Sequence, residues 1–344
     1  MQRRMVEPQP LLDENGHLNQ TGYATKLLLT YDRRAVKASR LRIKEWDYYL
    51  ISNGDYALAL TIADNSYMGL ASVTLLDFRL PRQTSAGNMT LLPLGKTGFP
   101  SSSESGDVKF QGKKMKLEFL NDGAARHLLC EVKDFADHQD LRADITLTDA
   151  PAETMVIATP FKESPKAFYY NQKTNCLRAA GSITCGSAEY IFRKSDSFAV
   201  LDWGRGVWAY RNMWYWGSGS GMADGKTFGF NIGYGFGDTS AASENMLFYD
   251  GKASKLDQVT FVIPKKENGQ DDFLRPWVFT SNDGRFEMDF VPILDRSSND
   301  NLLIIASDQH QVFGRYTGKA VLDDGQEIRI RDFPGFAEKV RNKW

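Results

Sequence analysis

The segment Thr227 to Gly237 reads TFGFNIGYGFG. Its even positions are large and apolar: Phe228, Phe230, Ile232, Tyr234 and Phe236. Its odd positions after Thr227 are Gly229, Gly233, Gly235 and Gly237, with Asn231 the exception. Successive side chains of a strand point to opposite faces, so this strand has one aromatic-aliphatic face and one almost bare face. Glycine weakens a strand through backbone entropy and lost packing. A face made of it needs a reason: something approaches the backbone closely, or the sheet curls tightly. A barrel corner and a ligand wall both meet that description.

The rest of the chain repeats the β signal. Asn-Gly or Asp-Gly pairs begin at Asn15, Asn53, Asp122, Asp224, Asp250, Asn268, Asp283 and Asp324. Such pairs accept the positive φ angles of tight hairpin turns. Short alternating or β-branched runs lie between them, as at Tyr56 to Ile62, Arg126 to Val132 and Phe286 to Val291. The pattern predicts an all-β chain. One helix is expected, at FAEKVRNKW, because Phe336, Val340 and Trp344 recur every four residues. The polar and aromatic segment Phe161 to Arg178 reads as an irregular crossover, and Asp202 to Gly206 as a Gly-rich turn between strands. With 344 residues, two β lobes are expected, 1–170 and 171–344. The second should be a barrel with Phe228 to Phe236 in its wall and Trp208, Trp214 and Trp216 lining its cavity.

A formal net charge of -1 argues against a general polyanion binder, so no nucleic-acid partner is expected. No run approaches the roughly 20 apolar residues of a membrane span. The basic N-terminal residues are followed by no apolar stretch of a secretory leader. Cys130, Cys176 and Cys185 form no CxxC pair, and Cys130 alternates with Leu128 and Val132 as a core thiol would. A reducing, cytoplasmic setting is the expectation.

The densest chemistry lies in LDWGRGVWAYRNMWYWGSGSG, residues 201–221, which holds Asp202, Arg205, Trp208, Tyr210, Arg211, Trp214 and Trp216. Tryptophans interleaved with Arg and Asp build a pocket that is apolar yet orients a polar group. The same residues would also serve as a core layer stiffened by a buried Asp–Arg pair. On the bare face of the opening strand, Asn231 is the one bulky polar residue, and Tyr234 follows on the apolar face. Asp238 and Glu244 come just beyond, close enough in sequence for an acid/base pair, although Asp238-Thr239-Ser240 is equally good turn chemistry. The histidines, His17, His127, His138 and His310, show no metal-ligand spacing. His310 is the one best placed for acid/base work. No GxSxG and no phosphate-binding GxxxxGK[ST] occurs, and GSGSG at residues 217–221 lacks a strand-loop-helix setting.

KEWDYY (44–49), DNSYMG (64–69), DWGRGVW (202–208), FGFNIGYGFGDTSAASEN (228–245), DGRFEMDF (283–290) and QVFGRYTG (311–318) together resemble a bacterial domain-of-unknown-function family of the calycin-like group. That group includes carotenoid hydratases, tocopherol cyclases, pericyclase-like enzymes and survival-factor lipid binders. The resemblance implies two consecutive lipocalin-like β units with a ligand cavity in or between them, and it carries no catalytic residues over. Residues and resemblance together suggest a hydrophobic small molecule, a lipid or terpenoid, bound and converted without an organic cofactor by hydration, cyclisation or isomerisation. Asp202 would be the acid, oriented by Arg205 or Arg211. A non-catalytic lipid carrier, or a carbohydrate-active enzyme using Asp202, Asp238 or Glu244, are the alternatives.

Overall fold

The structure is a computed structural model and describes residues 2–302 and 305–343. The chain is all-β, with two curled sheets in succession and short 3-10 turns at Arg33–Ala35 and Arg40–Arg42. The first sheet runs Arg82–Leu91, Met68–Asp77, Tyr56–Asp64, Ile43–Ser52, Phe198–Val207, Phe168–Cys185, Gln139–Thr148, Arg126–Ala136, Met115–Asn121 and Val108–Gln111. The second runs Lys252–Lys255, Met246–Tyr249, Lys226–Tyr234, Arg211–Ala223, Glu327–Lys343, Ile305–Val321, Phe286–Leu302, Trp277–Ser281 and Val259–Val262. The sheets change over at residues 208–210, downstream of the expected division at 170.

Strand alternation sorts the side chains into three layers. Tyr49, Ile51, Leu58, Leu60, Phe119 and Trp203 fill the first half-barrel. Phe228, Phe230, Ile232, Trp277, Phe279 and Tyr316 fill the second. The second sheet curls far enough for Phe261 on one edge strand to meet Tyr234, ring centroids 5.5 Å apart. Between the half-barrels lies a third layer, with Tyr48, Leu50 and Val200 of the first sheet against Trp216, Phe313 and Phe336 of the second. The two units pack outer face to outer face.

Three expectations are corrected here. The segment from Phe336 onward is not a helix: Glu327–Lys343 is one strand, and Trp344 lies outside the described residues. A repeat of four is a multiple of the strand period of two, so Phe336 and Val340 share a strand face as readily as a helix stripe. Both faces of this strand are covered, and residues 336–340 are all buried. The supposed crossover Phe161 to Arg178 contains most of the strand Phe168–Cys185, which bulges between Thr174 and Leu177. The supposed turn Asp202 to Gly206 is the buried strand Phe198–Val207. There Trp203, Arg205 and Val207 point into the first half-barrel, while Asp202, Gly204 and Gly206 face outward. A Cβ at Gly204 would overlap the indole of Trp46.

The bare face of Lys226–Tyr234 meets the first sheet. A Cβ at Gly229 would stand 2.6 Å from Cys176 Sγ and 2.9 Å from the Gly219 carbonyl oxygen. Cys176 sits in the bulge at φ 62°. Gly229→Ala is therefore expected to destabilise by about 1–3 kcal/mol through overpacking. Gly87→Ala is the control, since its added Cβ would meet nothing nearer than 3.9 Å. Equal thermal melts for the two variants would contradict the close approach.

Candidate functional site

Two rows of side chains face each other across the seam between the sheets. On the first sheet, strand register aligns Lys173, Asp202, Tyr48, Thr61 and Ser72 on five neighbouring strands. On the second it aligns Trp216, Glu338, Gln311 and Arg296 on four. The rows touch through the Lys173 ammonium, 3.9 Å above the Trp216 ring, and through Tyr48 Oη, which donates to Gln311 Oε1 at 3.4 Å. Beside them opens a pocket of about 230 Å³. Its walls are aromatic: Trp46, Tyr169, Trp208, Trp214 and Phe236 meet mostly edge to face, with Trp208 and Phe236 centroids 5.0 Å apart and those of Trp46 and Trp208 5.1 Å apart. Its floor is charged, with Lys173, Asp202, Glu244 and Glu338.

The charged groups are held differently. Lys173 pairs with Asp202 at 2.8 Å, and Asn171 Nδ2 donates to the same carboxylate at 2.6 Å. Glu338 accepts from Trp214 Nε1 at 2.6 Å and from Gln311 Nε2 at 3.0 Å. Burial nonetheless pushes its carboxyl up to about 7, outweighing the Trp214 hydrogen bond and the Lys173 charge. Glu244 is also raised by burial, against the pull of Lys173, and its Oε2 has no hydrogen-bond partner among the described residues. Gly233 makes room for Glu244: a Cβ there would stand 2.6 Å from Oε1.

Of the residues singled out from sequence, Asp202, Trp208, Trp214, Trp216 and Glu244 line this pocket. Asn231 stands behind it, fully buried, accepting from Trp216 Nε1 at 2.7 Å and donating to the Glu244 carbonyl at 2.8 Å. Arg205 does not orient Asp202. Odd and even residues of a strand face opposite ways, so Arg205 points into the first half-barrel and pairs with Asp47 at 3.1 Å. His310 likewise lies on the far side of its strand from Gln311, stacked on Phe273 at 3.8 Å and bonded to Asp295 at 2.6 Å. Tyr234 stacks on Tyr215 at 4.4 Å inside the second unit. Tyr210, Arg211 and Asp238 line a separate, open groove, so Asp238 and Glu244 are not brought together. The tryptophan-lined cavity is between the units, not inside the second barrel.

Sequence reasoning missed Trp46, Tyr48, Tyr169, Lys173, Arg296, Gln311 and Glu338, all of which line the pocket. A signal existed for Lys173: it is a lysine within the strand-like run FYYNQKTNC, and a lysine on a buried strand needs a partner. Glu338 had none, because in a helix it would have been an ordinary exposed glutamate.

Two solved structures align with most of the chain. CghA, in a crystal structure with Sch210972, superposes with a TM-score of 0.53 at 10% identity, covering 97% of each chain. Kievitone hydratase from Nectria haematococca gives a TM-score of 0.49 at 10% identity, with 88% of each chain covered. No curated protein matches the chain in sequence.

Two outcomes follow for the buried charges. Arg205→Met leaves Asp47 buried without its partner and should cost about 3–5 kcal/mol in urea unfolding. Changing Asp47 to Leu as well should recover part of that loss, and strictly additive losses would contradict the pairing. For Glu338, a folded value raised above its ordinary 4.5 means the fold favours the neutral acid. Its stabilising contribution is complete below pH 4.5 and is lost as pH rises through about 7. Glu338→Gln should remove about 3 kcal/mol of the fall in stability between those limits, read from denaturation midpoints at several pH values. An unchanged slope would contradict the shift.

The family described as Domain of unknown function (DUF2804) matches residues 2–344, and the chain belongs to that family.

Proposed function

We propose that the seam pocket binds a compact hydrophobic molecule, such as a terpenoid or short lipid, and converts it by acid–base chemistry at Glu338 without an organic cofactor. The observation that carries this reading is Glu338 itself: a carboxyl poised near neutrality at the floor of an aromatic cage. A general acid works best when its pKa lies near the working pH. Asp202, the acid expected from sequence, is instead engaged as the ion-pair partner of Lys173. CghA, which shares the fold, is seen with Sch210972, and this supports reading the seam pocket as a ligand site.

The chemistry closes on the chain's own groups. Glu338 gives its proton to a carbon–carbon double bond, leaving a cation on the neighbouring carbon and a carboxylate behind. Faces of Trp46, Trp214 and Tyr169 stabilise the cation through their π quadrupoles. Water then adds and returns a proton to Glu338, which is hydration. An internal double bond attacking instead closes a ring and moves the cation to a new carbon, which then loses a proton to the Glu338 carboxylate, completing cyclisation; loss of a proton adjacent to the first cation to the same carboxylate gives isomerisation. Trp216 serves differently, since Lys173 already occupies one of its faces.

Incubation with a panel of unsaturated terpenoids in deuterated water tests this. Wild type is expected to incorporate deuterium at carbon, read by mass spectrometry, with a pH profile that bends near 7. Glu338→Gln should quench tryptophan fluorescence on ligand addition as wild type does, yet incorporate none. Binding without exchange across the panel would favour a carrier. Absence of any fluorescence change with folded protein would remove the pocket as a ligand site.

A further inference from the structure

The pocket holds one cation, Arg296, that has no carboxylate within ion-pair distance among the described residues. Lys173 is taken up by Asp202 at 2.8 Å. Arg296, half-buried where the pocket is lined by Gln309, Gln311, Ser72 and Thr61, donates from Nη1 to Gln311 Oε1 at 3.1 Å. Among the described residues, no carboxylate lies within 4.0 Å of its guanidinium. A guanidinium drawn partly out of water with a single neutral acceptor has unused donors in a planar fork, the shape that grips a carboxylate by two parallel hydrogen bonds.

The surroundings agree with that vacancy of charge. The titratable groups facing the pocket are Lys173, Asp202, Glu244, Glu338, Tyr48 and Tyr169, carried on strands of both sheets and the loop after residue 234. Lys173 and Asp202 neutralise each other. Glu244 and Glu338 are both pushed by burial toward the neutral acid. Arg296 is the charged side chain beside Thr61, Ser72 and Gln309 at its end of the pocket, while the aromatic rings lie at the other end. An occupant that suits both ends has an apolar body and an anionic head.

We infer that the ligand of this pocket carries a carboxylate or comparable oxyanion held by Arg296, with its apolar body among Trp46, Trp208, Trp214 and Phe236. This deepens the proposed function and rests on the pocket being a ligand site. Gln311 links the two ends: it accepts from Arg296 and donates to Glu338. The same strand row that holds the head thus holds the acid at a set distance from it. Arg296 is a positioning and specificity residue, not a proton donor.

The test compares matched probes that differ only in the head group: geranic acid with geraniol, and octanoic acid with octanol, near pH 7. Tryptophan fluorescence and calorimetry give the affinities. Each acid is expected to bind at least about tenfold more tightly than its alcohol, as charge-assisted pairing would give. Arg296→Gln should bring each pair to parity, Arg296→Lys should keep part of the preference, and added salt should weaken the acids alone. Equal affinity of acid and alcohol in wild type would overturn the inference while leaving the pocket as a ligand site, as would a preference that survives in folded Arg296→Gln. No binding of any probe to folded wild type would overturn both. The wild-type comparison decides the matter even if the glutamine variant does not fold.

Discussion

The two sheets approach closely where the glycine face of Lys226–Tyr234 receives the bulge of Phe168–Cys185. Cys176 Sγ fills the space that a side chain at Gly229 would need. Its neighbour Asn175 donates to Ser218 Oγ at 2.8 Å and to the Phe230 carbonyl at 3.1 Å, tying two strands of the second sheet to one of the first. Two residues along each strand, the contact opens: Lys173 replaces Asn175, Trp216 replaces Ser218, and Asn231 replaces Gly229. The pocket begins there. Close packing at one end and large side chains at the other make a wedge, and the wedge angle follows from which residues are glycine.

That arrangement explains why the chemistry sits on the seam. Both half-barrels are filled by bulky side chains, Trp203 and Tyr170 in the first, Trp277, Phe279 and Tyr316 in the second, all fully buried. An interior packed to that degree has no space for a ligand. The outer faces meet imperfectly, because two twisted sheets can touch along only part of their surface. Strand alternation then divides the buried charges. Arg205 with Asp47, and Arg33 with Glu45, lie inside the first unit. Lys173, Asp202 and Glu338 face the seam. Adjacent letters in DWGRGVW belong to different networks, which is why Asp202 and Arg205 never meet.

How much of this could be read from the chain depends on the range of the interaction. The alternation of TFGFNIGYGFG is local, and it disclosed both a buried aromatic face and a closely approached bare one. The Asn-Gly and Asp-Gly turns are local too, and the all-β architecture followed from them. Helix and strand were confused where the period could not separate them, as at Phe336 and Val340, whose spacing satisfies both. The site was half visible. The tryptophans of residues 208–216 and Glu244 announce a pocket by composition, but their partners, from Trp46 and Lys173 to Glu338, come from other strands distant in the sequence. Nothing near Lys173 in sequence says that Asp202 will lie 2.8 Å from it. The register between two neighbouring strands decides that.

The contrast between Asp202 and Glu338 is the sharpest consequence of this geometry. Both are carboxylates on seam-facing strands, both are nearly fully buried, and both are reached by hydrogen-bond donors. Asp202 sits directly beside the ammonium of Lys173, so its charge is matched within the row. Glu338 lies on the opposite sheet, where its own donors are a tryptophan N–H and a glutamine amide. Neutral donors offset only part of the cost of burying a carboxylate. The seam pocket carries two cations, Lys173 and Arg296, and three acids, Asp202, Glu244 and Glu338; register gives Asp202 the directly paired position, while among the described residues Glu338 has no cation within ion-pair distance. Sequence order ranked Asp202 first because it stands among the tryptophans. The fold ranks Glu338 first because it stands opposite the lysine's chosen partner.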